Sequence, residues 1–375
     1  MHNIRMVDLK TQYENIKHEV DNAIQDVIDS TAFINGPHVK DFQHNLEKYL
    51  GIDSVISCAN GTDALQIALM ALNLETGDEV ITPDFTFIST VEVVKLLGLK
   101  PRLVDVNPET FTIDIDKLEK AINKNTKAIV PVHLFGQCAD MNAIMDIAEK
   151  HNISVVEDVA QATGAEYNFK GNWEKAGTIG HIGCTSFFPS KNLGCYGDGG
   201  ALFTNDHQMD EKIRTIANHG SKVKYYHDDI GVNSRLDTLQ AAILNVKLKY
   251  LNNYNQARQK AAAYYDEKLG KLEHIQTPVK DRNSSHIYHQ YTLVLDSSVN
   301  RNELKEYLKE KGIPSMVYYP VPMHKQSAYV DDLKSEDKFP VSERLSEKVL
   351  SLPMHTELTT EQLEWITTSI INYFK

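Results

Sequence analysis

Three short stretches carry residues whose types and spacing suit chemistry. In TSFFPSKNLGCYGDGGALFTN (Thr185–Asn205), Lys191 follows an aromatic pair and a Pro-Ser step, and precedes Gly194, Gly197, Gly199 and Gly200. A lysine held away from water has a depressed pKa and becomes a usable nucleophile toward a carbonyl compound. A surface lysine in a glycine loop is the commoner occurrence of such a pattern. In SVVEDVAQATGA, Asp158 ends an apolar run, where ligands bind in open parallel sheets, and Gln161 stands three residues on. A carboxylate there needs a cationic or hydrogen-bonding partner to offset its desolvation. A strand-end Asp is as often a helix cap. In CANGTDALQIALMAL a strand ends, a small-residue turn follows, and a helix is expected to begin at Thr62 or Asp63. The free N–H groups of that first turn form an anion site, Gly61 lets a phosphate approach the backbone, and Thr62 adds a hydroxyl. The stretch is neither a Walker loop nor GxGxxG, and alone it reads as an ordinary capped helix.

Positioning such residues requires strands that end at a common edge. The chain alternates short β-rich runs (SVISCA, DEVIT, PRLVDV, KAIVPVHLF, SVVEDVA) with helical stretches, and the runs are apolar throughout rather than alternating. Strands of that kind suit a sheet covered by helices on both faces. GCTSFF and GGALFTN, two further strand candidates, flank the lysine loop. Beyond about Leu236, LDTLQAAILNVKLKYLNNYNQARQKAAAYYDEKL reads as one long connecting helix. A smaller α+β region follows, with YTLVL, a helix from about Asn302, SMVYYPVP and two closing helices. The expected organisation is a large domain over residues 1–250, with the opening residues free to pack on either part, and a small one over 251–375.

Composition narrows the partners. In 375 residues, Lys plus Arg number 39 against 51 Asp plus Glu, a net charge of -12, with no basic stripe. That argues against nucleic acid or an anionic membrane, so an acidic substrate must be held by a few local basic groups. No apolar run approaches a membrane span, and the N-terminus lacks an apolar signal core, so a cytoplasmic protein is expected. Cys58, Cys138, Cys184 and Cys195 are scattered without CxxC or a metal pattern; reduced spectator thiols and no metal are the expectation.

Together, a phosphate cradle, a strand-end Asp and a loop lysine, in that order on an α/β sheet, are the contacts that pyridoxal phosphate needs. The residues also carry a family resemblance. From CANGTDALQIAL through VEDVAQATGA, the lysine stretch and GVNSRLDTLQAAIL to SLPMH, nearly end to end, the chain resembles the DegT/DnrJ/EryC1/StrS sugar aminotransferases. The lysine stretch and GVNSRLD are its most specific parts; the phosphate turn is less so. The resemblance implies the PLP-dependent transferase fold type I: a large, mixed, mostly parallel sheet domain with helices on both faces, and a smaller C-terminal α+β domain. It also implies a homodimer with shared active sites, and transfer of an amino group from L-glutamate to a keto group of a nucleotide-linked sugar.

Position by position, the resemblance makes Lys191 the Schiff-base lysine, Asp158 the partner of the pyridine nitrogen, and Gln161 the neighbour of the ring hydroxyl. Ser186 joins the Gly61–Thr62 turn as phosphate ligand, and Asn233 contacts the phosphate across the dimer. Phe87 stacks on the pyridine ring, in preference to Phe85; relatives more often have Tyr or Trp there. Some family members have histidine in place of the lysine and do not aminate, and Lys191 argues against that branch. The subgroup acting on UDP-2-acetamido-2-deoxy-3-oxo-glucuronate, in surface polysaccharide assembly, is the most similar. Arg235 is then either a bidentate partner for the uronate carboxylate or an ion-pair former at the dimer interface. Tyr318, Tyr319 and His324 in SMVYYPVPMHKQ are candidate sugar contacts, while His133 and His355 read as structural. The alternatives are a UDP- or dTDP-linked 3-keto or 4-keto 6-deoxysugar as acceptor, or a PLP-binding regulatory protein without turnover.

Overall fold

The computed structural model describes residues 4–329 and 338–375. Helices α1 (Leu9–Ser30) and α2 (Pro37–Leu50) open the chain. Strands and helices then alternate: β1 (Ser54–Cys58), α3 (Gly61–Ala71), β2 (Glu79–Pro83), α4 (Ser89–Leu96), β3 (Lys100–Val104), α5 (Ile115–Ala121), β4 (Thr126–Ile129), α6 (Met141–His151), β5 (Ser154–Asp158). A hairpin of β6 (Glu166–Phe169) and β7 (Asn172–Lys175) precedes β8 (Ile182–Ser186) and β9 (Gly200–Thr204). Next come α7 (His207–Ala217), α8 (Thr238–Leu248) and α9 (Leu251–Leu269). The C-terminal part holds β10 (Ile275–Gln276), β11 (Tyr291–Leu295), α10 (Arg301–Glu310), α11 (Pro340–Lys348), β12 (Val349–Leu352) and α12 (Thr360–Tyr373).

Seven strands form one sheet in the order β1-β9-β8-β5-β4-β2-β3. All neighbours from β8 to β3 are parallel, and β9 runs antiparallel to both β8 and β1. The sheet is mixed and mostly parallel, as the uniformly apolar runs imply. Successive residues of one strand feed opposite faces. Val156 joins Cys58, Leu69 and Ile213 in one core, while Val155 joins Met141, Ile144 and Ile147 of α6 in another. Each such side chain contributes about 1.5–3 kcal/mol by leaving water. Both faces are therefore closed, and the open part of the sheet is the C-terminal edge of its parallel strands.

The smaller sheet, β10-β11-β12, is antiparallel throughout. Its core gathers Tyr265 of α9, Leu304 of α10, Ile366 of α12 and also Ile4. The opening residues thus divide: Ile4 packs here, whereas Ile16 and Val20 of α1 pack on Ile243 and Val246 of α8.

The single connecting helix is corrected. It breaks at Lys249–Tyr250, where the amides of both residues turn back to the carbonyls of Val246 and Lys247. The cause is packing rather than propensity. α8 buries its apolar residues against α1 and α2, while the far end of α9 belongs to the core of the smaller sheet, so the axis changes direction between them.

Candidate active site

A cavity of about 680 Å³ opens at the C-terminal ends of β1, β5 and β8, where the parallel-sheet rule places ligands. Its wall includes Gly61, Thr62, Phe87, Asp158, Gln161, Ser186, Lys191, Tyr318 and Tyr319. Residues from widely separated motifs therefore share one pocket.

Lys191 is presented by a loop closed on itself. Its amide donates to Phe188 O at 2.8 Å, and Cys195 N donates to Phe187 O at 2.8 Å. Glycine is required at Gly194, where a Cβ would lie 2.4 Å from Pro189 O. The Lys191 ammonium has no hydrogen-bond partner among the described residues. Burial pulls its pKa down to about 8, against the opposing pull of Asp158. Near neutrality about a tenth is the free amine, far more than for an ordinary lysine, and this is the form that attacks carbonyls and accepts protons.

Asp158 ends β5 and is buried. One carboxylate oxygen accepts from Thr90 Oγ1 at 2.9 Å and the other from Ala160 N at 3.1 Å. Burial raises its pKa, and those two bonds with the Lys191 charge only partly offset it. A buried carboxylate with one donor on each oxygen has room for a further cationic N–H. Gln161 is held by both ends of its amide: Oε1 accepts from Phe135 N at 2.8 Å, and Nε2 donates to Tyr319 Oη at 2.9 Å.

The anion cradle begins earlier than expected. Helix α3 starts at Gly61, and its cap is Asn60, whose side chain accepts from Asp63 N at 2.8 Å. A Cβ on Gly61 would stand 2.7 Å from Ser186 Cβ, so glycine lets the helix N-terminus and the end of β8 meet. Thr62 Oγ1 and Ser89 Oγ share a hydrogen bond of 2.8 Å beside them. Phe87 is 53% exposed and lines the cavity, whereas Phe85 is fully buried in the core with Phe111. The open aromatic face is therefore that of Phe87. These features fit pyridoxal phosphate: a helix N-terminus free of a Cβ for the phosphate, an open aromatic face, an under-bonded carboxylate and a partly deprotonated lysine.

Three predicted residues are not brought into this cavity. Asn233 is exposed and bridges Asn218, and Arg235 makes no hydrogen bond or ion pair among the described residues. Between them Ser234 is buried; its hydroxyl donates to Asp63 at 2.6 Å and accepts from Ala59 N at 3.0 Å. His324 lies outside the lining of this cavity. Its ring bonds Asp84 at 2.8 Å and Glu343 at 3.2 Å, and its amide donates to Asp84 at 2.8 Å. Burial alone would lower its pKa, but the two carboxylates raise it.

The other histidines and thiols are internal. His133 accepts from Ala139 N on Nδ1 and meets Glu157 at 2.8 Å through Nε2, which therefore carries the proton. His355 is buried, accepts from Glu357 N, and is held down to about 4 by burial and the Arg258 charge. All four cysteines are free and buried; Cys195 Sγ contacts Phe187 O and Gly197 O at 3.0 and 3.1 Å.

Sequence reasoning missed Thr90, Ser89 and His289. Thr90 and Ser89 stand in PDFTFIST beside Phe87, and hydroxyls clustered next to a strand end were an available signal. His289 lines the cavity from the segment before β11, for which local sequence offered none.

Among the described residues, no three His, Cys, Asp or Glu side chains are arranged to hold a metal ion, and no helix is long and apolar enough to cross a membrane. The model of the DegT/DnrJ/EryC1/StrS aminotransferase family matches residues 14–371. The UDP-2-acetamido-2-deoxy-3-oxo-D-glucuronate aminotransferase of Pseudomonas aeruginosa is 47% identical, over 98% of this chain and 100% of its own. A pleiotropic regulatory protein of Geobacillus stearothermophilus is 44% identical, over 100% and 99%. Among solved structures, S. venezuelae DesV in complex with a ketimine intermediate superposes with a TM-score of 0.95 at 37% identity, covering 100% of this chain and 99% of that one.

Proposed function

The chain belongs to the DegT/DnrJ/EryC1/StrS aminotransferase family, and we propose that it moves an amino group from L-glutamate to the 3-keto group of UDP-2-acetamido-2-deoxy-3-oxo-glucuronate. The observation that carries this reading is the meeting of Lys191 and Asp158 in one cavity floored by the Gly61–Ser186 cradle. The Pseudomonas aeruginosa relative, matched end to end, supports the choice of sugar.

Bound pyridoxal phosphate supplies the electron sink that lets a proton leave the amino-bearing carbon. The chain's own residues do the rest. Gly61 and Thr62 offer the N–H groups of a helix N-terminus to the phosphate, joined by the Ser186 hydroxyl. Phe87 would cover one ring face, and Gln161, fixed by Phe135 N and Tyr319, would hold the ring hydroxyl. Asp158, oriented by Thr90 and Ala160, would hold the ring nitrogen and keep a proton on it. Lys191, as the free amine, would take the proton from the amino-bearing carbon of the donor, and in the second half of the cycle would deliver one to the carbon that receives the amino group. Tyr318 and Tyr319, which line the cavity, would contact the sugar.

A homodimer, a cytoplasmic location and a division between residues 250 and 251 belong to the same reading. The turn at Lys249–Tyr250 supports the division. Asn233, exposed, and Arg235, half-buried, flank the anchored Ser234 and serve the pocket of a second copy: Asn233 the phosphate, Arg235 the uronate carboxylate. The test is glutamate-dependent amination of the 3-oxo-uronate beside a neutral dTDP-4-keto-6-deoxysugar. Formation of 2-oxoglutarate matching amination of the uronate is expected. Turnover of the deoxysugar alone would reject the choice of substrate, and turnover of neither would reject the enzyme reading.

A further inference from the structure

His289 stands in the wall of the same cavity as Lys191 and Asp158. Its side chain is buried, and neither ring nitrogen has a hydrogen-bond partner among the described residues. Nδ1 is fully enclosed, whereas Nε2 keeps some access, and the opening that His289 lines is this cavity.

Two features fix the backbone that presents this ring. Tyr288 is left-handed, with φ 49, a conformation that a bulky residue adopts only when its surroundings enforce it. The Tyr288 ring stacks on His286 with centroids 3.9 Å apart. The buried guanidinium of Arg258 donates to the carbonyls of Tyr288, His289 and Met354 at 3.2, 3.3 and 3.0 Å, and forms no ion pair among the described residues. A strained backbone and an unbalanced buried cation are each unfavourable alone. Their meeting behind one imidazole in the cavity wall points to a ring whose placement matters.

A proton on the enclosed Nδ1 would be an orphaned donor, so the proton sits on Nε2. A second proton is opposed by burial, then by the charges of Lys191 and Arg258, which hold the ring well below its ordinary range. His289 is thus a neutral imidazole with its one N–H on the accessible nitrogen.

We propose that His289 is a catalytic residue of amino transfer, donating its Nε2–H to an oxygen of the amino acid or oxo compound that occupies the cavity beside Lys191. The proposal rests on the reading of the cavity as the site of amino transfer. A neutral donor suits carboxylate, carbonyl and hydroxyl oxygens in turn, which a site admitting an amino acid and a ketosugar alternately requires. A cation there would instead repel the ammonium group of an incoming amino acid.

The test compares His289→Leu with His289→Gln, which keeps an N–H donor, in the L-glutamate half-reaction of the cofactor-loaded enzyme, followed by loss of the visible band. The Leu variant is expected to lower the apparent second-order rate by about 10- to 100-fold, the effect of removing one donor from a reacting substrate. The Gln variant recovers most of it. In both, the pH midpoint of the visible band, which reports Lys191, and the Tm stay at the wild-type values. Full activity in the Leu variant overturns the proposal. Equal loss in both variants also overturns it, assigning His289 to the setting of Lys191 or to the fold. If the Leu variant does not fold, His289→Phe makes the same comparison. A wild-type enzyme that transfers no amino group from any amino acid overturns the reading of the cavity and this proposal with it, an outcome distinct from a change confined to the variants.

Discussion

Glu157 and Asp158 are neighbouring carboxylates on β5, both buried, and strand alternation sends them to opposite faces of the sheet. On one face, Glu157 accepts backbone N–H bonds from Gly177, Ile179 and Gly180 at 2.9, 2.8 and 2.6 Å, besides its contact with His133. Burial pushes its pKa up, but His133 and those amides outweigh the effect and the net shift is downward. On the other face, Asp158 has one backbone amide and one hydroxyl, and its net shift is upward. The same residue class, buried in both cases, thus divides by what its lone pairs meet. A carboxylate that the fold satisfies holds a turn in place. One that the fold leaves short of donors is ready for a cation from elsewhere, and it is the one that shares a cavity with Lys191.

The largest expected effect comes from removing that shared partner. Lys191→Ala should lower steady-state amino transfer by at least about 10³-fold, since proton transfer by a positioned base is alone worth about 10²–10⁴-fold. Asp158→Asn should slow the glutamate half-reaction by about 10²–10³-fold, the scale of losing one preorganised electrostatic contact, with the Tm within a few degrees of wild type. Stopped-flow loss of the visible band measures the first quantity and thermal melting the second. Glu157→Gln should do the opposite. Its amide would turn an N–H donor toward backbone donors, at a cost of about 2–4 kcal/mol in denaturant unfolding, while the rate per folded molecule changes only a few-fold. Interchanged phenotypes would break the comparison.

Proton linkage sharpens it. The pKa of Glu157 is depressed in the folded state from an ordinary 4.5, so its contribution to stability is complete above that value and fades as pH falls below it. Unfolding titrations should show this acid-side loss in wild type and a shallower one in Glu157→Gln. Lys191, at about 8, sets a second effect of the same sign at higher pH. Capture of pyridoxal phosphate by the apoprotein should slow about tenfold per pH unit below 8 and level off above it, because the neutral amine is the reacting form.

Much of this was legible in sequence because it rests on contiguous residues. Uniformly apolar runs such as SVVEDV specify strands buried on both faces, and Gly61, Asp158 and Lys191 each belong to a motif within a few residues of a strand end. What escaped depends on distance along the chain. Thr90 of α4 reaches Asp158 from 68 residues away in sequence, Arg258 of α9 holds the carbonyls ahead of β11, and no local pattern encodes either meeting. The helix break at Lys249–Tyr250 escaped because propensity favours continuation there and only the separate packing of α8 and α9 opposes it. The setting of His324 was hidden for a related reason: its ring partners, Asp84 and Glu343, lie outside its own motif.

The central claim is that Lys191 and Asp158 form one working site for amino transfer. Its most direct test is the visible spectrum of the purified protein with pyridoxal phosphate, recorded before and after L-glutamate, with Lys191→Ala alongside. The expected result is a band present in wild type, absent in Lys191→Ala, and bleached by L-glutamate. A band of equal strength in both proteins, or one in wild type that no amino acid bleaches, would contradict the claim.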